Sequence, residues 1–226
     1  MDRFKLFKNV LTKNRIKFVL LEKFVFINII DYAKSAKIVK LNNVIVNVWG
    51  GILYRILNLQ NLKKTNNVIN IKVPQGSLLT NLIHYFYLFS LIDKNKINIQ
   101  SNIIKILNSK RKPYHELVGD ITLKTKKNIM RLHTTKRFKN INIIKINNKK
   151  KNIKLKIQLP KIKYYPNKYF DFPSAKKITE LNFRLLENKK IKNHKLSLPT
   201  LKELKPICLE ILKNFKLING KKIYIN

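Results

Sequence analysis

Acidic residues are scarce in this chain. Its 226 residues include 11 Asp and Glu against 49 Lys and Arg, a formal net charge of +38 at pH 7. A compact domain charged this way repels itself, and the simplest remedy is a polyanion held as a partner. No acid occurs between Tyr32 and Ile92, or between Ile121 and Phe170. Glycine is scarce too, at five residues, and the sequence contains neither G-x-x-x-x-G-K-[ST] nor G-x-G-x-x-G. That absence excludes the common phosphate-cradling loops from this sequence. The single cysteine, Cys208, excludes an internal disulfide and a multi-cysteine zinc site. Its neighbours Ile207, Leu209 and Ile211 mark it as a small buried hydrophobe. The four histidines, His84, His115, His133 and His194, have no metal-ligand spacing. No two acids lie close enough in sequence to suggest a carboxylate dyad. Long apolar runs are missing as well. Residues 16–30 are broken by Lys17, Glu22 and Lys23, and Leu82 to Ile92 falls short of the roughly 20 residues a spanning helix needs. The expected inventory is therefore no catalytic residue, no metal, no cofactor, no membrane span and no small-molecule substrate.

What is present is 45% hydrophobic, enough for a core. Lys, Asn, Ile, Phe and Tyr dominate, all with AT-rich codons. Genome bias explains this better than structure does, and it points to an organelle: the mitochondrial matrix, or the plastid of an AT-rich lineage. The N-terminus interleaves Arg3, Lys5, Lys8, Lys13, Arg15 and Lys17 with apolar residues. It has an acid at Asp2, no serine in its first thirty residues and no cleavage pattern, so it reads as a basic nucleic-acid-contacting arm rather than a transit peptide. Leu53, Ile56, Leu57 and Gln60 fall at helical spacing. Pro74 to Ser77 is a turn, with Ser77 placed to cap a buried helix over Leu78–Ile92. His84 in that helix reads as a satisfied core histidine. The aromatics beside it read as core.

The densest basic stretch is Lys105 to Lys139. Ile106-Leu107 and Ile121-Thr122-Leu123 read as two short strands presenting a cationic loop, with Pro113 restraining its backbone. Lys105, Lys110, Arg111, Lys112, Lys124, Lys126, Lys127, Arg131, Lys136, Arg137 and Lys139 are expected to contact phosphates rather than base edges. If the strands pair, the two basic groups can meet one RNA surface. Residues 141–159 read as a β-ribbon with its loop at 147–152, adding Lys149, Lys150 and Lys151. The pair His115-Glu116 reads as structural. Ser174 can cap a helix bearing Ile178, Leu181 and Leu185. Thr200 to Glu203 has capping-box spacing, with Pro206 either interrupting that helix or starting a later one. Asn219-Gly220 stops the helix or turns a small terminal hairpin.

In order, Leu79 to Tyr85, Asn108-Ser109-Lys110, Pro113-Tyr114 and Gly119-Asp120-Ile121 resemble the RNA-binding domain of the S-four family of small-subunit ribosomal proteins. The first-helix arginines of that family are absent here, and Asn102-Ile103-Ile104 stands where it has a histidine-glycine turn. The resemblance implies an α+β fold: a helical N-terminal half, a small RNA-binding helix-helix-strand domain, a basic β-ribbon and C-terminal helices. The expected segments are a basic arm and helical region at 1–77, the RNA-binding domain at 78–139, and the ribbon with its helical extension at 140–226. The implied role is a non-enzymatic constituent of an organellar small ribosomal subunit, partnered by ribosomal RNA and neighbouring ribosomal proteins. The alternative is a standalone organellar nucleic-acid-binding factor of maturase or nucleoid type.

Overall fold

The computed structural model describes residues 3–13, 15–21, 26, 28–41, 45–48, 62, 66–109, 114–136, 141–148, 152–158, 161–165, 168–171, 173–187 and 198–225. Its centre is an eight-stranded sheet with one helix lying against it. Three elements precede that sheet as a small β-α-β unit: β1 (Phe18–Leu21), α2 (Ile29–Leu41) and β2 (Ile45–Val48), with β1 and β2 parallel. Helix α1 (Arg3–Lys13) packs on α2, burying Phe7 and Leu11. The ring of Phe26 meets Phe4, Phe7 and Tyr32 edge-on at 5.1–5.6 Å between centroids.

The large sheet is built from β3 (Val68–Pro74), β4 (Asn98–Asn108), β5 (His115–Lys124), β6 (Ile129–Thr135), β7 (Asn142–Asn147), β8 (Asn152–Gln158), β9 (Lys161–Tyr164) and β10 (Lys168–Asp171). Its order is β10-β9-β8-β7-β3-β6-β5-β4. Only β3 and β6 run parallel; every other pair is antiparallel. Alternation dictates its two faces. Ile69, Ile71 and Val73 on β3, Met130 and Leu132 on β6, Ile144 and Ile146 on β7, and Leu155 and Ile157 on β8 are all buried, and the residues between them face outward.

Helix α3 (Leu78–Ile92) covers the buried face and packs on β5; behind it lies α5 (Leu201–Phe215). Its Ile, Tyr and Phe residues are poor helix formers, each costing at most about 0.7 kcal/mol relative to Ala. Ten side chains of α3 are buried, and burial of each large apolar one is worth roughly 1.5–3 kcal/mol. Packing therefore decides the helix. Between β10 and α5, α4 (Ala175–Glu187) begins where Ser174 Oγ accepts from Lys177 N at 3.2 Å. Helix α5 starts with a complete Thr200/Glu203 capping box and runs straight through Pro206. The hairpin β11 (Leu217–Ile218) and β12 (Lys221–Lys222) follows, turned by Asn219 and Gly220 at φ 49° and 73°.

The N-terminal half is not simply helical: β1, β2, β3 and β4 lie within it beside α1, α2 and α3. Residues 78–136 do not form a helix-helix-strand domain either. They give one helix and three strands of a sheet whose other strands come from 68–74 and 142–171. The expected strands at 106–107 and 121–123 fall within paired strands of 11 and 10 residues, but not opposite each other: Ile106 and Leu107 face Leu117 and Glu116, and Ile121 to Leu123 face Ser101 to Ile99. The ribbon forms as expected, with Asn147 opposite Asn152. The helix expected around Leu53–Gln60 lies outside the described residues.

Candidate functional site

Helix α3 begins where β3 ends, through a turn in which Gln75 N donates to Thr135 O at 3.0 Å. Ser77 occupies the N-cap position but makes no capping bond; its hydroxyl donates to Pro74 O at 2.8 Å. The cap comes from another strand. The Glu116 carboxylate on β5 accepts from Leu79 N at 2.9 Å, from Thr80 N at 3.2 Å and from the Thr80 hydroxyl. A buried carboxylate on the positive end of a helix satisfies both the amides and the dipole. It also occupies that end, so α3 has no open anion site at its tip.

Around the rest of α3, most side chains are buried. The N-terminal half carries a polar strip at helical spacing, Ser77, Asn81 and His84, with Thr80 beside it, all partly buried. Asn81 Nδ2 donates to Ser77 O at 2.9 Å, which leaves its side-chain oxygen as an acceptor. His84 is thus not sealed within the core. At the other end of α3, a groove of about 630 Å³ separates it from α5, with Tyr87, Asp93, Lys94, Glu203, Pro206 and Glu210 on its walls. The acids there are engaged: Glu203 in the capping box, Glu210 with Asn214, and Asp93 in a buried network.

Other titratable groups are structural. Burial pushes the Cys208 thiol up to about 12, against a hydrogen bond with Tyr32 that pulls the other way, so the group is a thiol and not a nucleophile. Burial, then the neighbouring Cys208, raises Tyr32 well above its ordinary value. His115 Nδ1 accepts from Tyr224 N at 3.0 Å, and the two rings stack. Burial first, then the charge of Lys221, lowers the His115 pKa. The unfolded chain therefore takes up this proton more readily than the folded one. The resulting stability is fully present above the unfolded value near 6.5 and is lost as pH falls below it toward the folded value. We expect denaturation midpoints to drop between pH 7 and pH 5, and to drop less in His115→Gln, whose amide oxygen can still accept from Tyr224. Identical slopes in the two proteins would assign the effect elsewhere.

Where they are described, the basic residues singled out in the sequence are spread over several elements. Arg3, Lys5, Lys8 and Lys13 lie on α1, and Arg15 follows it. Because α1 is packed on α2, this segment is not a free arm; Arg3 Nη2 donates to the Tyr114 hydroxyl at 3.3 Å. Lys105 is on β4, Lys124 ends β5, Lys126 and Lys127 turn into β6, Arg131 is on β6 and Lys136 follows it. Lys110, Arg111, Lys112, Arg137, Lys139, Lys149, Lys150 and Lys151 lie outside the described residues. His115 and Lys124, the two ends of β5, lie about 30 Å apart for a ten-residue strand.

The fold is similar to that of solved oxidoreductases. The chain matches the WlbA dehydrogenase from Bordetella pertussis, in complex with NADH and UDP-GlcNAcA, at a TM-score of 0.62 and 12% identity, covering 92% of this chain and 72% of that one. It matches UDP-N-acetylglucosamine 3-dehydrogenase GnnA from Acidithiobacillus ferrooxidans at 0.62 and 10%, covering 93% and 73%. The super-repressor mutant of Gal80p from Saccharomyces cerevisiae matches at 0.62 and 12%, covering 94% and 74%. No family model matches the sequence, nor does any curated protein sequence. At these identities the likeness establishes the fold. It overturns the S-four resemblance, and with it the ribosomal role, the nucleic-acid-factor alternative, the ribosomal RNA and ribosomal-protein partners, and the expectation of a protein without an enzyme's fold or a small-molecule substrate.

A dinucleotide cradle needs glycines at a strand-to-helix turn, so that backbone can approach the pyrophosphate. The sequence between β1 and α2, Glu22 to Asn28, contains no glycine. Phe26 is buried, its N–H donating to the Tyr32 hydroxyl at 3.4 Å, and Asp31 sits in the first turn of α2. An acid there disfavours a bound phosphate. A glycine-free connection followed by an acid does not fit the cofactor.

Proposed function

We propose that the chain is the substrate-handling part of an oxidoreductase-type enzyme acting on a small hydroxylated, phosphate-bearing molecule, with nucleotide sugars as the leading class. The observation that carries this reading is the polar strip on α3. A mostly buried helix between a sheet and a second helix keeps an amide, Asn81, and an imidazole, His84, three residues apart and partly exposed. Imidazole is the side chain most often used to exchange a proton with a reacting oxygen, and an amide beside it can orient a hydroxyl. Two dehydrogenases of similar fold carry nucleotide sugars in their descriptions, and the strong positive charge of this chain favours an anionic substrate.

Calorimetric titration with UDP-N-acetylglucosamine and its uronic acid tests the reading. Binding is expected in the wild-type chain and weakened about tenfold by Asn81→Ala, the loss of one well-placed hydrogen bond. His84→Ala should likewise weaken binding about tenfold, through loss of the imidazole's hydrogen bond. Absence of binding by folded wild-type protein overturns the proposal for this substrate class. Unchanged binding in His84→Ala removes the imidazole from it.

A further inference from the structure

We propose that the outer face of the eight-stranded sheet is a docking surface for an anionic phospholipid membrane. The face is defined by strand register. Across it, Lys163 on β9 stands opposite Lys156 on β8, which stands opposite Ile143 on β7, then Lys72 on β3 and His133 on β6. Two residues along, Lys154 stands opposite Lys145, followed by Asn70 and Arg131. Six cations thus occupy two adjoining rows, over five strands spanning roughly 20 Å. Lys145 and Lys154 are a directly opposed like-charge pair, as are Lys156 and Lys163, an arrangement that destabilises a sheet. Within these rows the one described acid beyond them is Asp120, and it is paired with His133. No ion pair among the described residues neutralises Lys72, Arg131, Lys145, Lys154 or Lys156. The opposed lysines are tolerable when an anionic layer lies over them.

The shape and chemistry of the face select the occupant. A second copy of this chain would press cations against cations. Reading nucleic-acid bases needs open rings or an element that enters a groove. Among the described side chains the ring on this face, Tyr165, lies beneath the Lys154 and Lys163 ammonium groups at 4.3 and 5.0 Å, and no described helix projects from the pleated face. Five of the six cations are lysines, point charges without the fork that grips a fixed phosphate bidentately. A broad face of mobile ammonium groups suits a laterally mobile layer of headgroups. No described helix is long and apolar enough to cross a membrane, so the contact is peripheral. Each lysine near such a layer is worth roughly fivefold in partition.

The test is co-sedimentation of the full chain with vesicles of phosphatidylcholine alone and with about 30% phosphatidylglycerol, across a salt series. The wild type is expected to bind only the anionic vesicles, and to release as salt rises. The triple change Lys72→Glu, Lys145→Glu and Lys154→Glu should lower that partition by at least about 100-fold. The matched reversal at Lys34, Lys37 and Lys40, exposed on α2, should lower it far less. Lys154→Glu alone faces Lys145 with an opposite charge, so its thermal midpoint should hold or rise, which separates lost docking from lost folding. Equal losses in the two triples overturn the proposal, because net charge alone would then be acting. Absence of binding to anionic vesicles overturns it as well. So does tighter, face-dependent binding to a duplex oligonucleotide at the same salt, which would assign the face to nucleic acid.

Discussion

Replacing Gly119 by alanine should cost about 3–5 kcal/mol, combining backbone strain with forced overpacking. The residue lies in mid-strand on β5 at φ +149°, a conformation side chains rarely adopt. It is opposite the bulge of β4, where pairing slips between Ile103 and Lys105. A β-carbon built on Gly119 would stand 2.1 Å from the Asn102 carbonyl oxygen and 2.9 Å from the Ile103 α-carbon. Both neighbours are backbone, so the strand pair itself would have to part. The Gly119 N–H also donates to Thr134 Oγ1 at 2.9 Å, and the Thr134 hydroxyl returns a bond to the Gly119 carbonyl, so a shift would loosen β6 as well. Gly76→Ala is the control. It too has positive φ, at +83°, but nothing lies within 4 Å of the added carbon, and its cost should stay near 1 kcal/mol. Urea denaturation of both variants measures the contrast. Similar costs at the two positions would show that φ and not the close approach sets the requirement.

Gly119 also shows why the sequence misled. Gly119-Asp120 has the composition of a turn, and beside Asn108-Ser109-Lys110 it imitates the S-four strand-turn grammar. The structure uses this glycine for close approach inside a long strand. Local signals that are self-sufficient were legible: α3 from its unbroken apolar run, the β7–β8 ribbon from strict alternation, the α5 capping box, and the Asn219-Gly220 hairpin. What was not legible depends on partners far along the chain. The parallel pairing of β3 with β6 joins residues about sixty apart, and the α3 cap comes from Glu116. The lysines misled in a different way. Lysines fill outward positions on several strands, so a long basic run does not mark one loop. Only register shows that Lys72, Arg131, Lys145 and Lys154 share a face.

The remaining large effect is expected at Asp93, immediately after α3. Its carboxylate holds together three segments. Oδ2 accepts from Thr125 Oγ1 at 2.5 Å and from Asn128 Nδ2 at 2.8 Å, and Oδ1 accepts from Asn95 N at 2.9 Å. Asn128 Oδ1 in turn accepts from Asn67 N and Asn67 Nδ2, at 3.0 and 2.7 Å, fixing the start of β3 beside the start of β6. Asp93, Asn67, Thr125 and Asn128 are all buried. Removing the acceptor strands buried donors on Thr125 and Asn128, and each orphaned group costs about 1–3 kcal/mol. Asp93→Ala should therefore destabilise by about 3–5 kcal/mol. Burial raises the Asp93 pKa, but the hydrogen bonds from Thr125, Asn95 and Asn128 outweigh it, and the net shift is downward. The unfolded chain then binds this proton first. Its contribution to stability is fully present above the ordinary value near 3.8 and is lost as pH falls through the lower folded value. Urea midpoints measured from pH 6 down to pH 3 should thus fall more steeply in the wild type than in Asp93→Ala. Parallel curves would mean that the carboxylate is not ionised in the folded protein, and that the network is held by neutral hydrogen bonds.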